Sequence, residues 1–177
     1  MDDTARIDKL EKRVRQMESL NEIHNLKYLY FDIIDHFRSG MIGEVFAEEG
    51  VASLTTMGEY KGRKEITDFF DNSFFPSMEM VLHMGHHPQI SLLSDTSARG
   101  TWLYEVYIIT KGPKSDGIWL TGLYKDEYVL ENGRWLIKYL SGGYYFNTTS
   151  DMPWARERFS PYPPGTPPLP EQFRITK

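Results

Sequence analysis

Few residues in this sequence are placed to do chemistry. Asp35 stands in an otherwise apolar helical run with Ile33, Ile34 and Phe37. A carboxylate there is costly unless it is paired. Tyr30 lies more than one helical turn earlier, so it borders the same cavity as Asp35 only if that cavity caps the helix face. The run His83-Met84-Gly85-His86-His87 is the second unusual feature, with His83 inside a strand-like stretch from Val81 to Ile90. An inward histidine beside a buried aspartate makes a general base, because the carboxylate fixes the tautomer and stabilises the imidazolium formed on proton abstraction. A histidine satisfied by a backbone carbonyl is the alternative for the same residue.

Other chemistries find less support. His83 and His87 share a strand face but are too far apart to hold one ion without a bend, and no nearby acid completes a set, so no metal is expected. No glycine-rich phosphate loop follows a strand, and no serine sits in a strand–turn–helix elbow, so no nucleotide, flavin, haem or other cofactor is expected. The chain has no cysteine, which excludes disulfides and zinc–thiolate sites. A net charge of −5, with no basic stripe beyond the first helix, disfavours nucleic acid and anionic membranes as partners. No apolar stretch reaches the ~20 residues of a membrane span, and the charged start from Asp2 is unlike a signal peptide. A soluble, cytoplasmic protein is the expectation.

The elements that must position these residues follow from the pattern. Ile7, Leu10, Val14 and Met17, then Leu20, Ile23, Leu26 and Leu29, recur at helical spacing; Asn21 is placed to cap a second helix, and Ser39-Gly40 to end it. A short helical piece over Ile42–Glu48 leads to a hairpin over Val51–Tyr60. Arg63–Phe75 reads as helix with Ile66, Phe69 and Phe70 on one face, stopped by Pro76. Four strand-like stretches follow: Met78–Leu93 with a kink at Pro88, Ala98–Thr110, Ile118–Leu130 and Arg134–Phe146, the last two joined by Asn132-Gly133. Helices ahead of a long antiparallel meander make an α+β domain over residues 1–150. The extension 151–177 holds seven of the ten prolines; Phe159, Tyr162 and Phe173 are anchors for an ordered wrap along the domain, a disordered end being the alternative.

In order and spacing these residues resemble the SnoaL-like, nuclear-transport-factor-two-like α+β barrels. Tyr30, Asp35, His83 at the head of His-Met-Gly-His, and Gly100-Thr101-Trp102 look like bile-acid 7α-dehydratases. Asp35, Tyr60-Lys61-Gly62, the interval from Pro76 to His83 and the ending Phe159 to Gly165 are similar to lindane dehydrochlorinases, with scytalone dehydratases more distant. The likeness covers about residues 5 to 147 and, more weakly, the tail. It implies a cone-shaped barrel, a curved and mostly antiparallel sheet closed against the N-terminal helices around a dry pocket. It also implies assembly into trimers, dimers being the alternative, and no cofactor. His83 would remove a proton, Asp35 would orient it, and Tyr30 would contact the leaving group or a substrate oxygen.

The departures shape the expected pocket. Val106 stands where the bile-acid enzymes carry a second acid. Leu140 or Tyr144 stands where relatives place an arginine, and Leu54 replaces a tyrosine. Strict alternation puts Trp102, Tyr104, Val106 and Ile108 on one face, with Glu105 and Tyr107 opposite, and groups Lys138, Leu140 and Tyr144; a bulge would swap these sets. Trp102, Tyr104, Tyr144, Leu54, Val106 and Lys138 are therefore the candidate substrate contacts. Without an arginine clamp, a small neutral, hydroxylated aromatic or polycyclic substrate fits best. The chemistry expected is lyase chemistry: elimination of water or another small group, or retro-aldol release of formaldehyde from a lignin-derived aromatic diol. An isomerase or cyclase, and a non-catalytic binding module, are the other classes considered.

Overall fold

The computed structural model describes residues 3–112, 117–149 and 170–175. A single helix, α1 (Asp3–Asp35), opens the chain. Asn21 does not break it: it lies on an exposed turn, where a poor helix former costs only ~0.5 kcal/mol against the flanking Leu20, Glu22 and Ile23. The helix also ends before Ser39-Gly40. Phe37 turns left-handed (φ 49°), Arg38 N–H bonds the Ile33 carbonyl at 2.9 Å and Phe37 N–H the Ile34 carbonyl at 3.2 Å. This is the Schellman closure, with phenylalanine where glycine is usual; Phe37 packs its ring against Phe75, centroids 5.7 Å apart.

After a 3-10 turn over Ile42–Val45 the chain is already strand. β1 (Phe46–Ser53) and β2 (Glu59–Lys61) form the expected hairpin, but it starts earlier than the sequence suggests because Phe46 pairs in parallel with Ile137. The second helical segment is α2 (Arg63–Phe69), a π-helical turn over Phe70–Phe74, and α3 (Phe75–Ser77). It runs directly into β3 (Met78–Leu92), followed by β4 (Ser97–Thr110), β5 (Gly117–Glu131) and β6 (Arg134–Thr149).

The six strands are ordered β2-β1-β6-β5-β4-β3, all neighbours antiparallel except β1 and β6. The curved sheet does not close on itself; β2 and β3 are its free edges. Pro88 is tolerated because β3 is an edge strand, and His87 beside it (φ 47°) is in a bulge between His86 and Gln89. Asn132 and Gly133 both take positive φ, as a two-residue hairpin requires. One sheet face carries the core, with Trp102, Tyr104, Val106, Leu120, Tyr124 and Tyr128 buried against Ile23, Leu26, Tyr30, Ile33 and Ile34 of α1.

Of the tail, Phe173 packs on the core, while Phe159 and Tyr162 lie outside the described residues. Ile175 N–H bonds the Tyr144 carbonyl at 2.8 Å, and Arg174 bridges Tyr144 in parallel. This covers the side of β6 left open where β1 stops, at Ser53 opposite Ser141. Among the described residues no helix is long and apolar enough to cross a membrane.

Candidate active site

Asp35 is the last residue of α1, and β3 passes over it. His83 Nδ1 lies 2.6 Å from Asp35 Oδ1, and His83 backbone N–H donates to Asp35 Oδ2 at 2.9 Å. The carboxylate thus holds both the ring and the strand carrying it. Their side chains are 7% and 12% exposed. With Nδ1–H donated to the carboxylate, the neutral ring presents Nε2 as its acceptor.

Phe31 stacks on the His83 ring, centroids 5.1 Å apart and planes 16° from parallel. Gly85 makes room for that stack: a Cβ there would stand 2.4 Å from Phe31 Cε2. The helix end, the aromatic lid and the small residue two positions along β3 together fix the imidazole.

His83 opens onto a cavity of about 800 Å³ enclosed by α1, the π-helical turn, the β1–β2 connection and the inner sheet face. Tyr30, Leu54, Tyr104, Val106 and Tyr144 also line it. Phe70 and Phe74 of the π turn and the β5 residues Leu120 and Tyr124 complete an aromatic and aliphatic wall. Tyr104 and Tyr124 stack at 4.0 Å. Burial pushes the hydroxyls of Tyr30, Tyr104, Tyr124 and Tyr144 above the usual phenol range, so they act as neutral hydrogen-bonding groups. At Tyr30 burial is the main cause, and the Asp126 charge raises it further.

Tyr144 is differently engaged. Its Oη lies 2.6 Å from Thr55 Oγ1, itself 2.7 Å from the Leu54 carbonyl. The Thr55 hydroxyl thus ties the Tyr144 phenol to the β1–β2 connection.

Two candidate contacts fall elsewhere. Trp102 is fully buried, but beneath the cavity: its Nε1–H donates to Tyr128 Oη at 2.8 Å and its ring meets His24 and Tyr28. Lys138 is exposed. Ile137 and Tyr139 pair with the consecutive residues Tyr128 and Glu127, so Lys138 is the extra residue of a β-bulge and leaves the face of Leu140 and Tyr144. On β4 no bulge intervenes, and Glu105 points away, accepting hydrogen bonds from Tyr107 and Trp119.

Some cavity residues escaped the sequence analysis. His83, Val106, Leu120 and Asn147 form one rung across four strands, and Asn147 lines the cavity with its Oδ1 buried and unpartnered. Three strand spacings separate it from His83, roughly 14 Å along the sheet and less across the curve. Lys111, exposed, is the one lysine or arginine among the described lining residues. Below the floor, Lys27 and Asp126 form a fully buried ion pair at 2.8 Å. Tyr128 donates to the same Asp126 oxygen at 2.9 Å, and the ammonium sits 3.7 Å over the Tyr124 ring. Burial disfavours both charges, lowering Lys27 and raising Asp126, while their mutual attraction opposes it. Inward alternation through Leu120, Tyr124 and Tyr128 carries the signal for Asp126; Lys27 stands four residues after Ile23 and three before Tyr30, on the buried stripe.

Among solved structures, hexachlorocyclohexane dehydrochlorinase LinA type 2 superposes with a TM-score of 0.74 at 18% identity, over 85% of this chain and 99% of that one. The LinA type 3 enzyme of Novosphingobium barchaimii gives 0.72 at 18% identity, over 84% and 99%. A protein of Novosphingobium aromaticivorans assigned as a scytalone dehydratase gives 0.71 at 15% identity, over 80% and 93%. At these identities the likeness is one of fold. The family model for the SnoaL-like domain matches residues 15–141, a span holding the His83–Asp35 pair and nearly all of the cavity wall, and the chain accordingly belongs to the SnoaL-like family.

Proposed function

We propose that this protein is a cofactor-independent lyase acting on a neutral, hydroxylated aromatic or polycyclic substrate. The observation that carries it is the His83–Asp35 contact of 2.6 Å at the wall of a large aromatic cavity. A paired, tautomer-fixed imidazole facing an apolar pocket has the geometry of a general base. His83 Nε2 takes the proton beside the leaving group, the carbon–oxygen bond breaks, and the imidazolium returns the proton to the departing hydroxide, so that water leaves. Tyr30 hydrogen-bonds the departing oxygen throughout and stays protonated, in keeping with its raised pKa. Asp35 stabilises the imidazolium between these steps. Lyase-type enzymes among the structural neighbours support the same reaction class.

The cavity wall favours the substrate class. Stacked tyrosines and the phenylalanines of the π turn offer flat apolar surface, and no arginine lines the cavity among the described residues. Asn147, across the rung from His83, supplies an amide for a second oxygen of an elongated substrate.

The test is incubation with hydroxylated steroids and lignin-type aromatic dimers, followed by product mass. Dehydration removes one water, retro-aldol cleavage releases formaldehyde, and isomerisation conserves mass. His83→Ala should lower turnover by roughly 10²–10⁴-fold, the usual contribution of a positioned base, with the far-UV spectrum unchanged. Retained turnover in a folded His83→Ala protein would refute the mechanism.

A further inference from the structure

We propose that the first half of α1 joins a second copy of this chain as a parallel, two-stranded coiled coil. Ile7, Leu10, Val14 and Met17 are 55%, 49%, 52% and 69% exposed, yet their spacing alternates three and four residues, the repeat of a coiled-coil seam. Asn21 continues it and is exposed. The next seam position, His24, turns back onto Trp102, ring centroids 5.6 Å apart, so the seam ends where α1 enters its own core. The free stretch is about 28 Å long at 1.5 Å per residue. Most of it precedes residue 15, where the family's shared domain begins, and no described segment of the chain covers it.

The flanking charges select the partner and its direction. Arg6 and Arg13 each precede a first seam position, and Glu11 and Glu18 each follow a second one. In a parallel pair the first kind of position faces the second kind five residues later on the partner. Arg6 then meets Glu11 of the partner subunit, and Arg13 meets Glu18 of the partner subunit, twice each by symmetry. An antiparallel pair would set arginine against arginine and glutamate against glutamate. Within one chain Glu11 is only 3.5 Å from Arg15, both well exposed, a contact that a seam pair readily joins. Two strands follow from the core positions: β-branched Ile7 and Val14 alternate with unbranched-at-β Leu10 and Met17, and Asn21 falls at a position where a buried asparagine fixes register and two-fold pairing.

The test uses the full chain. Sedimentation equilibrium at micromolar concentration should give a mass that Val14→Glu reduces twofold without altering the far-UV spectrum, since Val14 is 52% exposed and lies outside the core cluster. A mass unchanged by Val14→Glu, a threefold reduction, or a monomeric parent each overturns the proposal. Direction is read by crosslinking, because the natural chain has no cysteine. Met17→Cys should oxidise to a covalent dimer. A mixture of Ile7→Cys and Met17→Cys chains should not crosslink to one another, as a parallel register leaves those positions about 15 Å apart. Preferential Ile7–Met17 crosslinking would show the antiparallel arrangement and also overturn it. Finally, Arg6→Glu/Arg13→Glu and Glu11→Arg/Glu18→Arg chains should each dimerise at least tenfold more weakly alone than when mixed; equal association alone and mixed counts against the charge pairing.

Discussion

His83 owes its position to neighbours that do no chemistry. Asp35 holds the ring and its backbone, and Phe31 lies flat against it over Gly85. Gly85→Ala puts a methyl into the edge of Phe31, whose ring is already packed against Tyr30, His83 and Tyr124. The expected result is a loss of about 1–3 kcal/mol, the usual cost of overpacking, read as a lower denaturant midpoint together with reduced turnover; an unchanged midpoint would mean that Phe31 has free space elsewhere. Asn147→Leu tests the far wall. It removes the amide at similar volume, so KM for substrates with a distal oxygen should rise about tenfold, equivalent to ~1.4 kcal/mol for one hydrogen bond, with kcat little changed. A kcat loss at constant KM would place Asn147 in the chemistry instead. Tyr30, Asp35 and His83 were legible in the sequence because each is a polar residue in an apolar pattern. Lys27 is equally anomalous, but a lysine on a long charged helix reads as solvent-facing until the tertiary fold supplies Asp126.

At the scale of elements, the sequence specifies types better than joints. Every strand of the meander and both helical segments are visible as periodicities. The joints depend on single residues whose effect is not periodic: Phe37 closing α1, the π turn ahead of Pro76, and the bulge that expels Lys138. A bulge adds one residue to one strand and reverses every face beyond it, which is why strict alternation misplaced that lysine but held along β4. The Lys27–Asp126 pair is the polar tie between α1 and β5. Lys27→Met leaves a buried carboxylate without its cation and should cost about 3–5 kcal/mol, the usual loss when one partner of a buried pair is removed. Adding Asp126→Asn removes the orphaned charge while keeping an acceptor for Tyr128, so the double variant should be more stable than Lys27→Met alone. Additive losses in chemical denaturation would sink that account.

For the whole molecule, eleven tyrosines are an unusual investment, and five of them, Tyr30, Tyr104, Tyr124, Tyr128 and Tyr144, are buried around one cavity and its floor. Burial raises all five phenols above their ordinary value. In the unfolded chain each ionises near pH ~10. Above that pH the native state keeps protons that the unfolded state has released, so stability falls as pH rises. The contribution is complete below the unfolded value and is lost on the alkaline side, never on the acid side. Five such groups titrating together in the unfolded chain make the decline steep. In an alkaline titration the last part of the tyrosinate absorbance should therefore appear in one cooperative step, coincident with loss of the far-UV signal. Gradual ionisation of all eleven phenols in a chain that keeps its native spectrum would mean that the cavity admits water and hydroxide freely. It would also weaken the case for an apolar pocket around His83.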